Sequence, residues 1–178
     1  LYARSRDIVG PNAHFVSQSG TRPRKFADCP PEASRAAQDG LDALLRDALG
    51  DGGVSAPRVG YWRFLASLGS HDLSLMRDAL GFPESVAGVT VHHPFYSAIF
   101  NYRNAGAGRE AFAVTYESGI DAVPRFDAHL AVYGEAKTVS IQYDTPYVKG
   151  LPIRVRVDEL VDGRAVTREV LASYEDAY

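Results

Sequence analysis

Cysteine is nearly absent from this 178-residue chain. Cys29 stands alone, which excludes an internal disulfide framework and any thiolate-rich metal site, and fits a reducing compartment. Long apolar runs are missing too, and none approaches the roughly 18 residues a membrane helix needs. Basic runs are equally scarce. The net charge is −3, and the densest patch, Arg22-Pro23-Arg24-Lys25, reads as a solvated loop. Neither a nucleic-acid nor a membrane partner is expected. The chain opens on LYARSRDIVG, without Met or an apolar signal core, which by itself does not fix a compartment; a cytoplasmic location is the expectation.

Several chemical signatures are also absent. There is no phosphate-binding P-loop and no G-x-S-x-G nucleophile elbow. The nearest approach to a dinucleotide loop, Gly106-Ala107-Gly108, lacks the third glycine and joins two predicted strands instead of a strand and a helix. His92 and His93 are adjacent, so in a strand they point to opposite faces and do not chelate one ion. His14 reads as a loop residue and His129 as a sheet residue.

What remains is an ordinary globular composition, 46% apolar and 23% charged, long enough for one domain with a real core. The first thirty residues look extended and loop-like, with a turn at Gly10-Pro11-Asn12. Pro30-Pro31 opens a helix over 32–49, with Leu41, Leu44, Leu45 and Leu49 at helical spacing and Gly50 at its end. Gly40 inside it invites a break. Asp51-Gly52-Gly53 is a loop, and a second helical region spans 61–68. After Pro83 the period changes to two. Strands are expected over 86–93, 96–102, 111–116, 125–133, 138–143, 153–158 and 165–170, and a helix from Leu171 onward. Helices first and alternating strands after them define an α+β fold. The expected sheet is open and mostly antiparallel, with about five or six strands, and helices 32–49 and 70–80 cover one face. Leu44, Leu45, Leu73, Met76, Leu80, Val155 and Val157 are the expected core. Arg154 and Arg156 share the other face, with Tyr133 and Tyr143 at its margins.

The most informative stretch is GYWRFLASLGSHDLSLMRDALGFP, residues 60–83. Ser70 is placed to cap a short helix, and Gly81 and Pro83 to stop it. Leu73, Met76 and Leu80 form its apolar stripe. His71 and Asp72 then fall in the first turn, where free backbone N–H groups concentrate. A histidine there suits a group that takes or passes a proton.

The segment LGSHDLSLMRDALG resembles the G-x-H-x-x-D-x-x-x-x-x-x-G stretch that opens the substrate-domain core of one oxidoreductase family. That family comprises glucose–fructose oxidoreductases, inositol dehydrogenases and rhizopine catabolism oxidoreductases. AVYGEAKTVSIQY, with its hairpin at Gly134, is similar to that domain's sheet. The resemblance implies that residues 1–178 are a substrate and oligomerisation domain without the family's Rossmann domain, and that NAD or NADP binds in that other domain. It implies hydride transfer to or from a hydroxyl-bearing carbon of a sugar or polyol, with His71 as the catalytic residue. Arg22 or Arg24, Asp72, and His92 or His93 are the candidate substrate contacts, Arg22 and Arg24 for an anionic group. The family's lysine motif E-K-P has no counterpart here, and its acidic positions before and after the histidine are Ser67 and Ser74. A homodimer or homotetramer through the open sheet face is expected. Two other readings stand beside this one. The chain is then a binding or dimerisation module without catalysis, or a small enzyme in which His71 converges with His92 or His93.

Overall fold

A computed structural model describes the chain except for residues 51, 53–54, 104–109, 149 and 174–178. The chain divides into two compact units, one formed by Leu1–Thr21 with His71–Tyr178 and the other by Arg22–Ser70.

The larger unit is built on one open sheet of eight strands. They are β1 (Tyr2–Val9), β2 (Ser85–His92), β3 (Phe95–Arg103), β4 (Ala111–Ile120), β5 (Phe126–Tyr133), β6 (Lys137–Tyr143), β7 (Ile153–Val161) and β8 (Arg164–Ser173). Their spatial order is β2-β3-β4-β1-β5-β6-β7-β8. Every neighbouring pair is antiparallel except β1 and β4. The expected α+β class and mostly antiparallel sheet are therefore present, but the sheet has eight strands where five or six were expected, and two further corrections apply. The opening residues are a central strand, not a loop, and the expected helix after Leu171 begins instead as the end of β8. The expected turn at Gly106-Ala107-Gly108 lies outside the described residues, as do Asp51 and Gly53 of the preceding loop.

Alternation sets the two faces. Along β1, Ala3, Ser5, Asp7 and Val9 are buried while Arg4 and Arg6 stay half-exposed. Register carries the buried face across the sheet: Asp7 lies between Ser118 and Ala128, and Ala128 lies beside Tyr143. Hairpins follow the turn signals. Gly134 N–H donates to Lys137 O at 2.8 Å between β5 and β6. Asp162 and Gly163 take positive φ between β7 and β8, the geometry a two-residue hairpin needs.

Helix α1 (Asn12–Gln18) and, from His71 onward, helix α4 (Gly69–Leu80) belong to this unit. Helix α1 brings Phe15 edge-on to Phe126, with centroids 5.8 Å apart. Helix α4 stops where Gly81 adopts φ 86° and donates its N–H to Arg77 O. Ser70 is not its cap, because its hydroxyl donates backwards to Ser67 O at 2.6 Å from inside the helix. The stripe is also rotated from the expected one. Asp72 and Met76 are its buried side chains, spaced by four, while Leu73 and Leu80 are half-buried.

In the smaller unit, α2 (Pro31–Leu49) runs unbroken through Gly40, and α3 (Ala56–Ala66) follows. Pro31 starts α2 where its missing N–H costs nothing, and Gly50 ends it at φ 73°. Leu44 is 59% exposed and Leu45 half-buried, so these two are not core residues. Of the seven expected core positions only Met76 is fully buried. Val155 and Val157 are half-buried on outlying β7. The core is instead central: Val114, Tyr116, Ala128 and Leu130 join Ala3 between β4 and β5.

Candidate functional site

The core contains a cluster of acids and phenols. Asp72 has no accessible surface. Its Oδ1 accepts from the Tyr143 hydroxyl at 2.5 Å, and its Oδ2 accepts from the Tyr116 hydroxyl at 3.4 Å. On β1, Asp7 is close enough to feel its charge. Residues from β1, β4, β6 and the first turn of α4 thus meet at one buried carboxylate. Each part has a local cause. Strand alternation turns Asp7, Tyr116 and Tyr143 to one face, and the helical period brings Asp72 down onto them one turn before Met76.

Two carboxyls in one dry place do not both ionise. Burial is the main cause that pushes Asp7 up to about 8, with the charge and hydrogen bond of Asp72 adding to it. Burial likewise raises Asp72. The Tyr143 and Asp7 hydrogen bonds, the neighbouring His71 and the Tyr116 hydroxyl all pull the other way. Both carboxyls are thus pushed toward their protonated forms, Asp7 the more strongly. Burial and the neighbouring Asp72 also drive the Tyr143 phenol far upward, so it stays a donor.

The cluster is polar well beyond its satisfied bonds. Ser5 Oγ, Asp7 Oδ1 and Ser118 Oγ are buried without a hydrogen-bond partner. Unpaired groups of this kind cost roughly 1–3 kcal/mol each, an unusual concentration for one short stretch of sheet.

His71 stands next to this anchor and is exposed. The expected residues thus separate. Asp72 enters the buried cluster as its centre instead of serving as a solvated helix-end anion, and His71 borders it. His92 ends β2 and His93 lies in the turn to β3, where its Nδ1 is 3.3 Å from the Tyr96 hydroxyl. Arg22 and Arg24 are exposed in the smaller unit, and the Arg24 guanidinium lies over the Phe26 ring at 5.2 Å. Asp7 and Tyr116 were not among the sequence candidates. Tyr143 was assigned to the margin of the open face but points to the buried one.

The opposite face is charged and paired. Glu117 Oε2 accepts from Arg4 at 2.7 Å and from Arg6 at 2.8 Å, and Arg6 also reaches Asp127 at 3.3 Å. His129 Nδ1 lies 3.6 Å from Asp127. Further out, Arg156 pairs with Asp158 at 2.9 Å and Arg154 lies 3.8 Å from Glu169. The Tyr2 and Tyr133 rings lie beside this network with centroids 5.8 Å apart and planes tilted by 31°.

A pyrophosphate cradle needs a strand, a glycine turn and a helix. The β1–Gly10–α1 connection has that order but does not fit the group. A Cβ on Gly10 would lie 2.2 Å from Val123 O, so the room at this glycine is filled by the chain's own backbone. No group of three or more metal-ligating side chains gathers among the described residues, and no helix there is long and apolar enough to cross a membrane. No protein-family model, curated protein or solved structure matches the chain.

Proposed function

We propose that these residues are the substrate and oligomerisation domain of an NAD- or NADP-dependent oxidoreductase that moves hydride to or from a hydroxyl-bearing carbon of a sugar or polyol. The observation that carries this reading is the state of the Gly-Ser-His-Asp segment. Its aspartate is fully buried in a hydrogen-bonded anchor, and its histidine is left exposed on the next residue. Oxidation at an alcohol carbon requires a base that takes or orients the hydroxyl proton, and an exposed imidazole on a pinned helix turn is suited to that task. The nucleotide binds outside residues 1–178 in this reading, consistent with the occupied glycine turn after β1. In the intact enzyme, His71→Ala lowers kcat by roughly 10²–10⁴-fold. Calorimetry on the isolated chain should show no binding of either nucleotide, and one-to-one micromolar binding would refute the assignment of that site elsewhere.

A second reading is a dimerisation or binding module without catalysis of its own. The half-buried Arg4–Glu117–Arg6–Asp127 network favours it, since paired charges beside a contacting tyrosine pair suit an interface. In both readings the open face joins copies of the chain into a dimer or tetramer. Light scattering that returns a strictly monomeric mass at tens of micromolar overturns this assembly.

A further inference from the structure

We propose that β2 is a second self-association site, at which two copies of the chain pair edge to edge, antiparallel and centred on Thr90. This goes beyond the reading above and holds whether or not the chain is catalytic.

Strand β2 ends the sheet, and among the described residues it pairs on one side only, with β3. On its other side the N–H and C=O groups of alternate residues point outward, a template for another strand. All eight of its residues are exposed. Edges of this kind are ordinarily guarded by charge or proline. The opposite edge is guarded in that way, since β8 carries Arg164, Arg168 and Glu169. Ser85–His92, SVAGVTVH, holds no Lys, Arg, Asp, Glu or Pro. Its one irregularity is the bulge between Val86 and Gly88, which leaves residues 88–92 as a regular edge.

The buried face of the sheet also loses its cover at β2. Val89 lies opposite Ala98, and Val91 opposite Tyr96. Ala98 and Tyr96 are 3% and 7% exposed, whereas Val89 and Val91 are 51% and 42% exposed. Opposed residues share a face, so a strand added here must bring apolar side chains at alternate positions to meet both valines.

The strand itself meets that requirement. Antiparallel pairing centred on Thr90 sets Val89 against Val91 of the second copy and Val91 against its Val89. Four valines then form one row on the buried face. Thr90 meets its own counterpart on the open face, where Gly88 gives room to His92. No like charges oppose each other along the seam. A centre at Val89 runs the pairing into the bulge, and a centre at Val91 runs it into the turn at His93-Pro94. The two-fold axis stands perpendicular to the sheet, so the open face stays free for the assembly proposed above, and the two contacts together give a tetramer.

The test is disulfide trapping in the full chain carrying Cys29→Ser. Opposed Cα atoms of an antiparallel pair lie about 4.5–5.5 Å apart, within reach of a disulfide. Thr90→Cys should give a covalent dimer under mild oxidation at tens of micromolar, while Ser85→Cys, remote from the axis, should not. Val89→Lys puts charge into the seam at an exposed position. It should halve the mass found by light scattering and speed hydrogen exchange at alternate amides of residues 88–92. No cross-link at Thr90→Cys, or equal cross-linking at Ser85→Cys, overturns the proposal. So does an unchanged mass in Val89→Lys, and if that variant does not fold the cross-link decides alone. Failure of the oxidoreductase reading would show instead as missing dehydrogenase activity with the cross-link intact.

Discussion

The Tyr143 hydroxyl donates to Asp72 Oδ1 across 2.5 Å, joining strand β6 to the first turn of α4 over 71 positions of sequence. A hydrogen bond to a buried charge contributes roughly 1.5–3 kcal/mol. Tyr143→Phe should lower unfolding stability by about that amount in denaturant titrations at pH 7, with the slope unchanged. A loss below about 0.5 kcal/mol would mean that the bond is not made.

Stability should also depend on pH through Asp7. Its carboxyl has an ordinary value of 3.8 and is pushed up to about 8 in the fold, so folding favours the protonated form. That contribution is fully present below about pH 4, declines as the unfolded chain alone ionises, and is lost above about pH 8. The slope from one such group reaches at most ~1.4 kcal/mol per pH unit. Asp7→Asn should therefore gain on the wild type steadily from pH 4 to 8 and hold a constant margin beyond. Parallel stability curves across that range would show that Asp7 does not hold the proton.

Two glycines should respond in opposite directions. Gly10→Ala drives a Cβ into the Val123 carbonyl, with Pro124 Cα at 2.9 Å. Both obstacles are backbone, so a loss of about 1–3 kcal/mol or more is expected. Gly40→Ala meets nothing within 4 Å inside α2 and should stabilise that helix by roughly 0.8–1 kcal/mol. Thermal unfolding of the two variants reads both signs.

The sequence made the outer strands legible and hid the central one. Val155 and Val157 alternate with Arg154 and Arg156, so β7 announces itself by period. In β1 the inward positions include Ala3, Ser5 and Asp7, which carry no apolar signature. Their burial is imposed by β4 and β5, more than 110 residues away along the chain. Helix α4 was readable to within a residue or two, yet its buried stripe was misplaced. Leucine at 73 and 80 drew the face toward itself, and nothing local shows that an aspartate one position earlier will be buried under the hydroxyls of Tyr116 and Tyr143. For α2 the period gave the helix correctly, but amphipathicity does not guarantee burial, as the exposed Leu41 and Leu44 show. Of the candidate site, His71 and Asp72 were visible from spacing. Asp7 and Tyr116 became visible only through the strand register, which also set the orientation of Tyr143.

The most direct measurement is the steady-state kinetics of His71→Ala in the intact protein, with NAD or NADP and a panel of sugars and polyols over pH 6–10. A base or hydroxyl-orienting role predicts a fall in kcat of roughly 10²–10⁴-fold and a changed pH–rate profile. An unchanged kcat with an unchanged profile would remove His71 from the chemistry and contradict the account.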